Sequence, residues 1–172
     1  MKSILVSYFV LLTIVTANAQ LKPLNFSAAV KAESVSAKDL YKKGKNWYNE
    51  TFQCLNRVLT QDDAAQGVIV GKCTFPYASK VMINSAKTKG EVRYQIKLRF
   101  SDGRYQCEIS DFRHTGSGIS FDLLTQEAAY TKEIPGTSQE WKNQVWNDIK
   151  SQAKAHSDAI IKSMIGEISK PN

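Results

Sequence analysis

The residues best suited to chemistry lie in the run "DFRHTGSGISFD", where His114 stands between Asp111 and Asp122 and close to Ser117. An imidazole changes charge near neutral pH, and a carboxylate behind it can hold its tautomer, so His114 with Asp111 or Asp122 is the minimum for a general base. Ser117, flanked by Gly116 and Gly118, would be the nucleophile. Its surroundings fit neither known device. A nucleophile elbow needs Gly-x-Ser-x-Gly on a strand-to-helix turn, and a phosphate loop must close with Gly-Lys-Ser/Thr. The run therefore reads as a mobile glycine-rich loop after a strand, with His114 solvated in it.

The other reactive side chains are scattered. Cys54, Cys73 and Cys107 form no CxxC, and neither His114 nor His156 lies near them in sequence, so no metal-ligand spacing exists. We expect no metal, no cofactor and no enzymatic activity. Trp47, Trp141 and Trp146 fall at helical spacing, which makes them packing residues rather than a sugar platform. His156 lies on an apolar helix stripe and reads as a core or boundary residue.

The remaining candidates are basic. In "RYQIKLRFSDGRYQCE" one strand sets Arg93, Lys97 and Arg99 on the face opposite Tyr94, Ile96, Leu98 and Phe100. Such a face can bind an anionic partner, or can simply be solvated.

The chain's first residues narrow the partner. "MKSILVSYFVLLTIVTANAQ" has Lys2, an apolar run from Ile4 to Val15 and the small residues Ala17-Asn18-Ala19, the pattern of a cleaved secretory signal. The apolar run falls short of the roughly 18 residues that span a bilayer. Residues 1–19 are thus read as a leader, and 20–172 as one exported domain, periplasmic or secreted, with no transmembrane helix once the leader is gone. The net charge of +7 drops to +6 without Lys2. An exported protein seldom meets nucleic acid, so the expected partner is a protein or an anionic envelope surface.

The elements follow from periodicity and punctuation. "LNFSAAVKAE" reads as a first strand. Ser36, Asp39, Val35 and Leu40 then form a capping box and a hydrophobic staple for a helix reaching about Tyr48, with Gly44 weakening it or letting it pack closely. "CLNRVLTQ" and "GVIVGKCTF" are paired strands around "DDAA". With a turn centred between Asp63 and Ala64, Cys54 and Cys73 face each other and could bridge; two buried thiols are the alternative. Asp102-Gly103 is a strong hairpin turn, and it sets Phe100 opposite Tyr105, Leu98 opposite Cys107 and Lys97 opposite Glu108. A last helix, capped by Thr137 with Glu140 completing the box, carries an apolar stripe from Trp141 through Val145, Ile149 and His156 to Ile168. "ISFDLL" could add a short strand.

The result is an α+β domain in β-α-β-β-β-β-α order, an antiparallel sheet with both helices on one face. That order, with the "SAKDLYKKGKNWYNETF" helix, the "GVIVGK" strand and the "YQIKLRFSDGRYQCEISDF" hairpin, resembles the domain of unknown function family numbered 4468, described as TATA-binding-protein-like. The resemblance implies the fold and an exported bacterial protein, and it assigns no residue a role. A TATA-type saddle would need apolar wedges on its open face, where only Phe112 is a candidate. The expected function is a non-catalytic binding or envelope-associated module. The alternative is a small-molecule or lipid carrier with a pocket between the sheet and the long C-terminal helix.

Overall fold

A computed structural model describes residues 21–52 and 58–170. Its elements are β1 (Phe26–Lys31), α1 (Ala37–Thr51), β2 (Val58–Asp63), β3 (Val68–Tyr77), the short α2 (Ser85–Thr88), β4 (Gly90–Ser101), β5 (Arg104–Gly116), β6 (Asp122–Leu123) and α3 (Gln139–Ile168). The strands form one antiparallel sheet in the order β1-β5-β4-β3-β2, with β6 joined to β5. Among the described residues no helix is long and apolar enough to cross a membrane.

Each of the two long helices begins where a side chain can take an orphan amide. Ser36 accepts from the Asp39 amide at 3.1 Å and donates to the Asp39 carboxylate at 2.7 Å. Asp102, in the β4–β5 turn, accepts from the Ala37 amide at 2.7 Å, so the hairpin itself helps to anchor the start of α1. The long helix is capped one residue later than its sequence suggests. Ser138 accepts from the Trp141 amide at 3.2 Å, whereas the Thr137 hydroxyl turns back to the Ile134 carbonyl at 2.8 Å.

Both long helices lie on the inner face of the sheet. Gly44 allows α1 to settle on β4, because a Cβ there would stand 2.1 Å from Phe100 Cζ. At α3, His156 meets Tyr94 Oη at 3.0 Å and its ring lies 4.4 Å from that of Phe75. The inner positions Ile96, Leu98, Ile109, Val145 and Ile149 are fully buried. Buried apolar area of this kind is the main favourable term in folding.

The β4–β5 register is the one that the Asp102-Gly103 turn dictates, with Phe100 opposite Tyr105, Leu98 opposite Cys107 and Lys97 opposite Glu108. The β2–β3 hairpin differs from expectation. Asp63 faces Val68, so its turn is the longer stretch from Ala64 to Gly67 and is not centred between Asp63 and Ala64. With Val58 opposite Lys72, the register on which a Cys54–Cys73 bridge depended does not hold. Cys73 is buried in β3, and Cys54 lies outside the described residues.

Opposite consequences are expected on the two faces of β4. Leu98→Ala should cost about 2–5 kcal/mol, because Leu98 is fully buried under the helices. Lys97→Gln and Arg99→Gln should each change stability by about 0.5 kcal/mol or less. Urea unfolding measures both, and equal losses would mean that the sheet is inside out.

Candidate functional site

The outer face of the sheet is uncovered by either helix, and its charges are set by the ladder. On β4, Glu91, Arg93, Gln95, Lys97 and Arg99 point outward; Lys72 on β3 faces Gln95, and Gln106 and Glu108 on β5 face Arg99 and Lys97. Three ion pairs cross or run along this face: Arg93–Glu91 at 3.8 Å, Arg99–Glu108 at 3.8 Å and Arg113–Asp111 at 3.0 Å. All six partners are 42–60% exposed, so water screens these pairs and each contributes little to folding. Glu108 stands directly opposite Lys97, but its carboxylate pairs with Arg99 on the diagonal. Lys72, Lys97 and Arg104 have no ion pair among the described residues.

The expected basic candidates separate into two patches. Arg93 and Arg99 are six residues apart on one strand, roughly 20 Å at the rise of an extended chain. Lys97 and Arg99 border a hollow of about 230 Å³ with Asn25, Ser27, Gln106 and Glu108. Arg93 borders a second hollow, of about 250 Å³, with Lys72, Asp111 and Arg113.

Phe112, the fourth candidate, is not on this face. It is fully buried, edge-on to Phe26 at 5.7 Å and stacked on Tyr94 at 5.8 Å. The cause is a β-bulge. The pairing shifts from Gln95 opposite Ser110 to Arg93 opposite Arg113, which leaves one extra residue on β5. Asp111 takes up the kink in the left-handed region, at φ 52°. Odd-numbered side chains are buried up to Ile109 and even-numbered ones from Phe112 onward. A signal was present in "YQCEISDFRH", where the buried-type residues change from odd to even numbers across the polar pair Ser110-Asp111.

The same bulge corrects the reading of His114. This residue is in β5 rather than a loop and is 1% exposed. Its Nδ1 accepts from the Phe121 amide at 3.2 Å, so Nε2 carries the proton and donates to the Thr88 carbonyl at 2.9 Å. Burial depresses its pKa and favours the neutral ring. With both nitrogens engaged by backbone, His114 clasps β5, α2 and the segment before β6 together. Asp111 pairs with Arg113, and Asp122 with Lys132 at 3.1 Å. Ser117 is likewise tied, its hydroxyl donating to the Ala86 carbonyl at 2.7 Å and its amide to the Lys89 carbonyl at 2.9 Å.

This clasp has a pH signature. Burial lowers the pKa of His114 and of His156, so the unfolded chain binds protons at a higher pH than the folded one. Their contribution to stability is complete above about pH 6.5 and is lost as pH falls through the depressed folded values. Urea midpoints should therefore fall from pH 7 to pH 5, and the double variant His114→Gln, His156→Gln should flatten that fall. A slope unchanged in the variant would assign it to other groups.

The tryptophans pack as their spacing suggests. Trp47 donates to Ser163 Oγ at 3.1 Å, Trp141 to the Ile83 carbonyl at 2.9 Å and Trp146 to the Glu127 carbonyl at 3.0 Å. Sequence periodicity missed Lys142, which is 2% exposed and reaches the Glu133 carboxylate at 3.2 Å. Cys107 is buried too, which pushes its thiol up to about 12 and makes it a poor nucleophile. No group of three His, Cys, Asp or Glu residues able to hold a metal occurs among the described residues.

Residues 26–115 match the family model described as "Domain of unknown function (DUF4468) with TBP-like fold". The chain belongs to the DUF4468 family. The matched range runs from the start of β1 almost to the end of β5, so it contains Lys72, Arg93, Lys97, Arg99 and Arg113, while α3 lies outside it. Two solved structures share the fold. A DUF4468 family protein from Bacteroides ovatus ATCC 8483 is 15% identical, with a TM-score of 0.59, over 87% of this chain and 90% of that one. A TBP-like protein from Parabacteroides distasonis ATCC 8503 is 12% identical, with a TM-score of 0.54, over 83% of this chain and 92% of that one. No curated protein matches the chain. Fold likeness at these identities carries no activity with it.

Proposed function

We propose that this DUF4468 chain is an exported, non-catalytic binding module of the cell envelope that engages an anionic partner surface through the open face of its sheet. One observation carries the reading. Both long helices cover the inner face, while Lys72, Arg93, Lys97, Arg99, Arg104 and Arg113 share the outer one, where Glu91, Glu108 and Asp111 pair with three of them and Asp63 lies at the β2 edge. Charges held this way steer and orient an oppositely charged partner more than they stabilise the fold. The non-catalytic part rests on His114, whose two ring nitrogens are both occupied by backbone. Export rests on the leader-like residues 1–19. Nucleic acid is left out of the reading because Phe112, the candidate wedge, is buried behind the sheet.

Photo-crosslinkers placed at Lys97, at Arg99 and, on the helix side, at Lys150 test this in the native envelope. Crosslinks are expected at the two sheet positions, from a chain whose intact mass begins at Gln20. Crosslinks confined to Lys150, or a retained leader, would overturn the corresponding part of the proposal.

A second reading, a carrier, is favoured by one cleft. The middle of the space between sheet and α3 is filled by Tyr94, Phe112, Phe75 and His156. At the end of α3, however, Val35, Leu40, Tyr105 and Ile168 floor an opening of about 360 Å³. That is within the lower range of small-molecule sites. Native mass spectrometry of the purified chain would favour the carrier if an acyl chain stayed bound and Leu40→Trp expelled it.

A further inference from the structure

The end of the outer face that holds Arg93 is shaped by the bulge in β5. Arg93 stands directly opposite Arg113 across the β4–β5 ladder. Like charges so placed repel, which makes the pairing a cost to the fold that needs a reason. The pairing exists because of the bulge. A regular ladder would have turned Arg113 to the buried side, whereas the extra residue and the left-handed Asp111 re-aim it beside Arg93. Bulges at such places are a common means of re-aiming a side chain toward a site. Asp111 and Glu91 engage the Nε groups of Arg113 and Arg93, at 3.0 and 3.8 Å. The terminal Nη groups of both arginines, and the Nζ of Lys72, make no hydrogen bond among the described residues. They border the same hollow of about 250 Å³.

The geometry points to a phosphate-binding pocket at Lys72, Arg93 and Arg113 that receives the headgroup of an anionic phospholipid, a proposal that rests on the docking reading above. Paired guanidinium forks match the oxygens of a phosphate, and an ammonium beside them adds a point charge. A phosphate presented by a surface suits the hollow better than a free small molecule does. Sites for small molecules enclose most of the ligand, whereas this hollow lies on an open sheet and can lodge a single group. The other outward cations, Lys97, Arg99 and Arg104, would then lie against the same anionic surface.

Two double variants remove equal charge from the same face: Arg93→Gln with Arg113→Gln, and Lys97→Gln with Arg99→Gln. The first also relieves the like-charge pair, so it should fold at least as well as the parent chain; thermal unfolding verifies this. Binding to phosphatidylglycerol vesicles is measured by co-sedimentation at physiological salt, with phosphatidylcholine vesicles as the neutral comparison. The pocket predicts that the first variant binds about tenfold or more weakly than the second, as expected for lost charge-assisted hydrogen bonds. Millimolar inorganic phosphate should shift the amide resonances at positions 93 and 113 in the parent chain alone. Equal weakening in both variants would overturn the pocket and leave the docking face standing as plain electrostatic adsorption. Failure on vesicles combined with binding to a sulfated polysaccharide would overturn the lipid assignment and keep the docking face. Failure on both would remove the docking reading itself.

Discussion

Phe112→Ala is expected to lower the free energy of unfolding by about 3–5 kcal/mol, the largest single loss anticipated for any position on β5. Phe112 is fully buried between Phe26 and Tyr94, with ring centroids at 5.7 and 5.8 Å. Removing the ring leaves a cavity that neighbours held by the ladder cannot close, so both the transfer term and the cavity term are lost. The variant should keep its affinity for any partner of the outer face, because the ring contacts the opposite side. Urea unfolding with a binding assay on the folded fraction separates the two effects. A loss below about 1 kcal/mol, accompanied by weakened binding, would return Phe112 to the surface and remove the bulge from the account.

Gly71→Ala should be a strongly damaging single-methyl addition. Its Cβ would fall 1.8 Å from Tyr48 Oη and 2.8 Å from Cζ, and Tyr48 is itself 1% exposed, its ring centroid 4.9 Å from that of Phe52. Alanine suits an extended backbone better than glycine does, but that gain of about 0.5–1 kcal/mol is smaller than the cost of forcing α1 off β3. Overpacking of a rigid contact typically costs about 1–3 kcal/mol, and here the obstacle is an aromatic ring rather than a flexible tip. We therefore expect a net loss, seen as a fall in Tm of several degrees. Tyr48→Phe in the same chain should return part of it by withdrawing the nearest atom. No recovery in the double variant would place the strain elsewhere than at this contact.

These two positions differ in what the sequence could say of them. Gly71 lies in a run of β-branched residues where nothing local marks the approach of a tyrosine from α1. Gly44 was readable as a place for close packing because glycine inside a helix is unusual, although its partner, Phe100, comes from a strand far along the chain. The β4–β5 register was legible for a stronger reason. Asp102-Gly103 closes the tightest hairpin, and the apolar residues on both strands agree on one face, so a slip would bury charge. Ser36 could be read as a cap from its own neighbourhood, since capping is decided within one turn. At α3 two adjacent hydroxyls competed, and the path of the chain from Ile134 decided for Ser138.

Within a strand, alternation by itself determined which face of the sheet is charged, and so Arg93, Lys97 and Arg99 were visible as candidates. Composition and the residues before Gln20 set the expectation of an exported, motif-poor domain. Tertiary structure alone decided which of those charges lie together. Arg93 gained Lys72 as a neighbour through the β3–β4 register, while one inserted residue at Asp111 set Arg113 beside it and sent Phe112 and His114 to the core. The physical reason is that periodicity is a property of a single strand. Neighbours across a ladder depend on the pairing of distant segments, and an extra residue in one partner reverses every face beyond it.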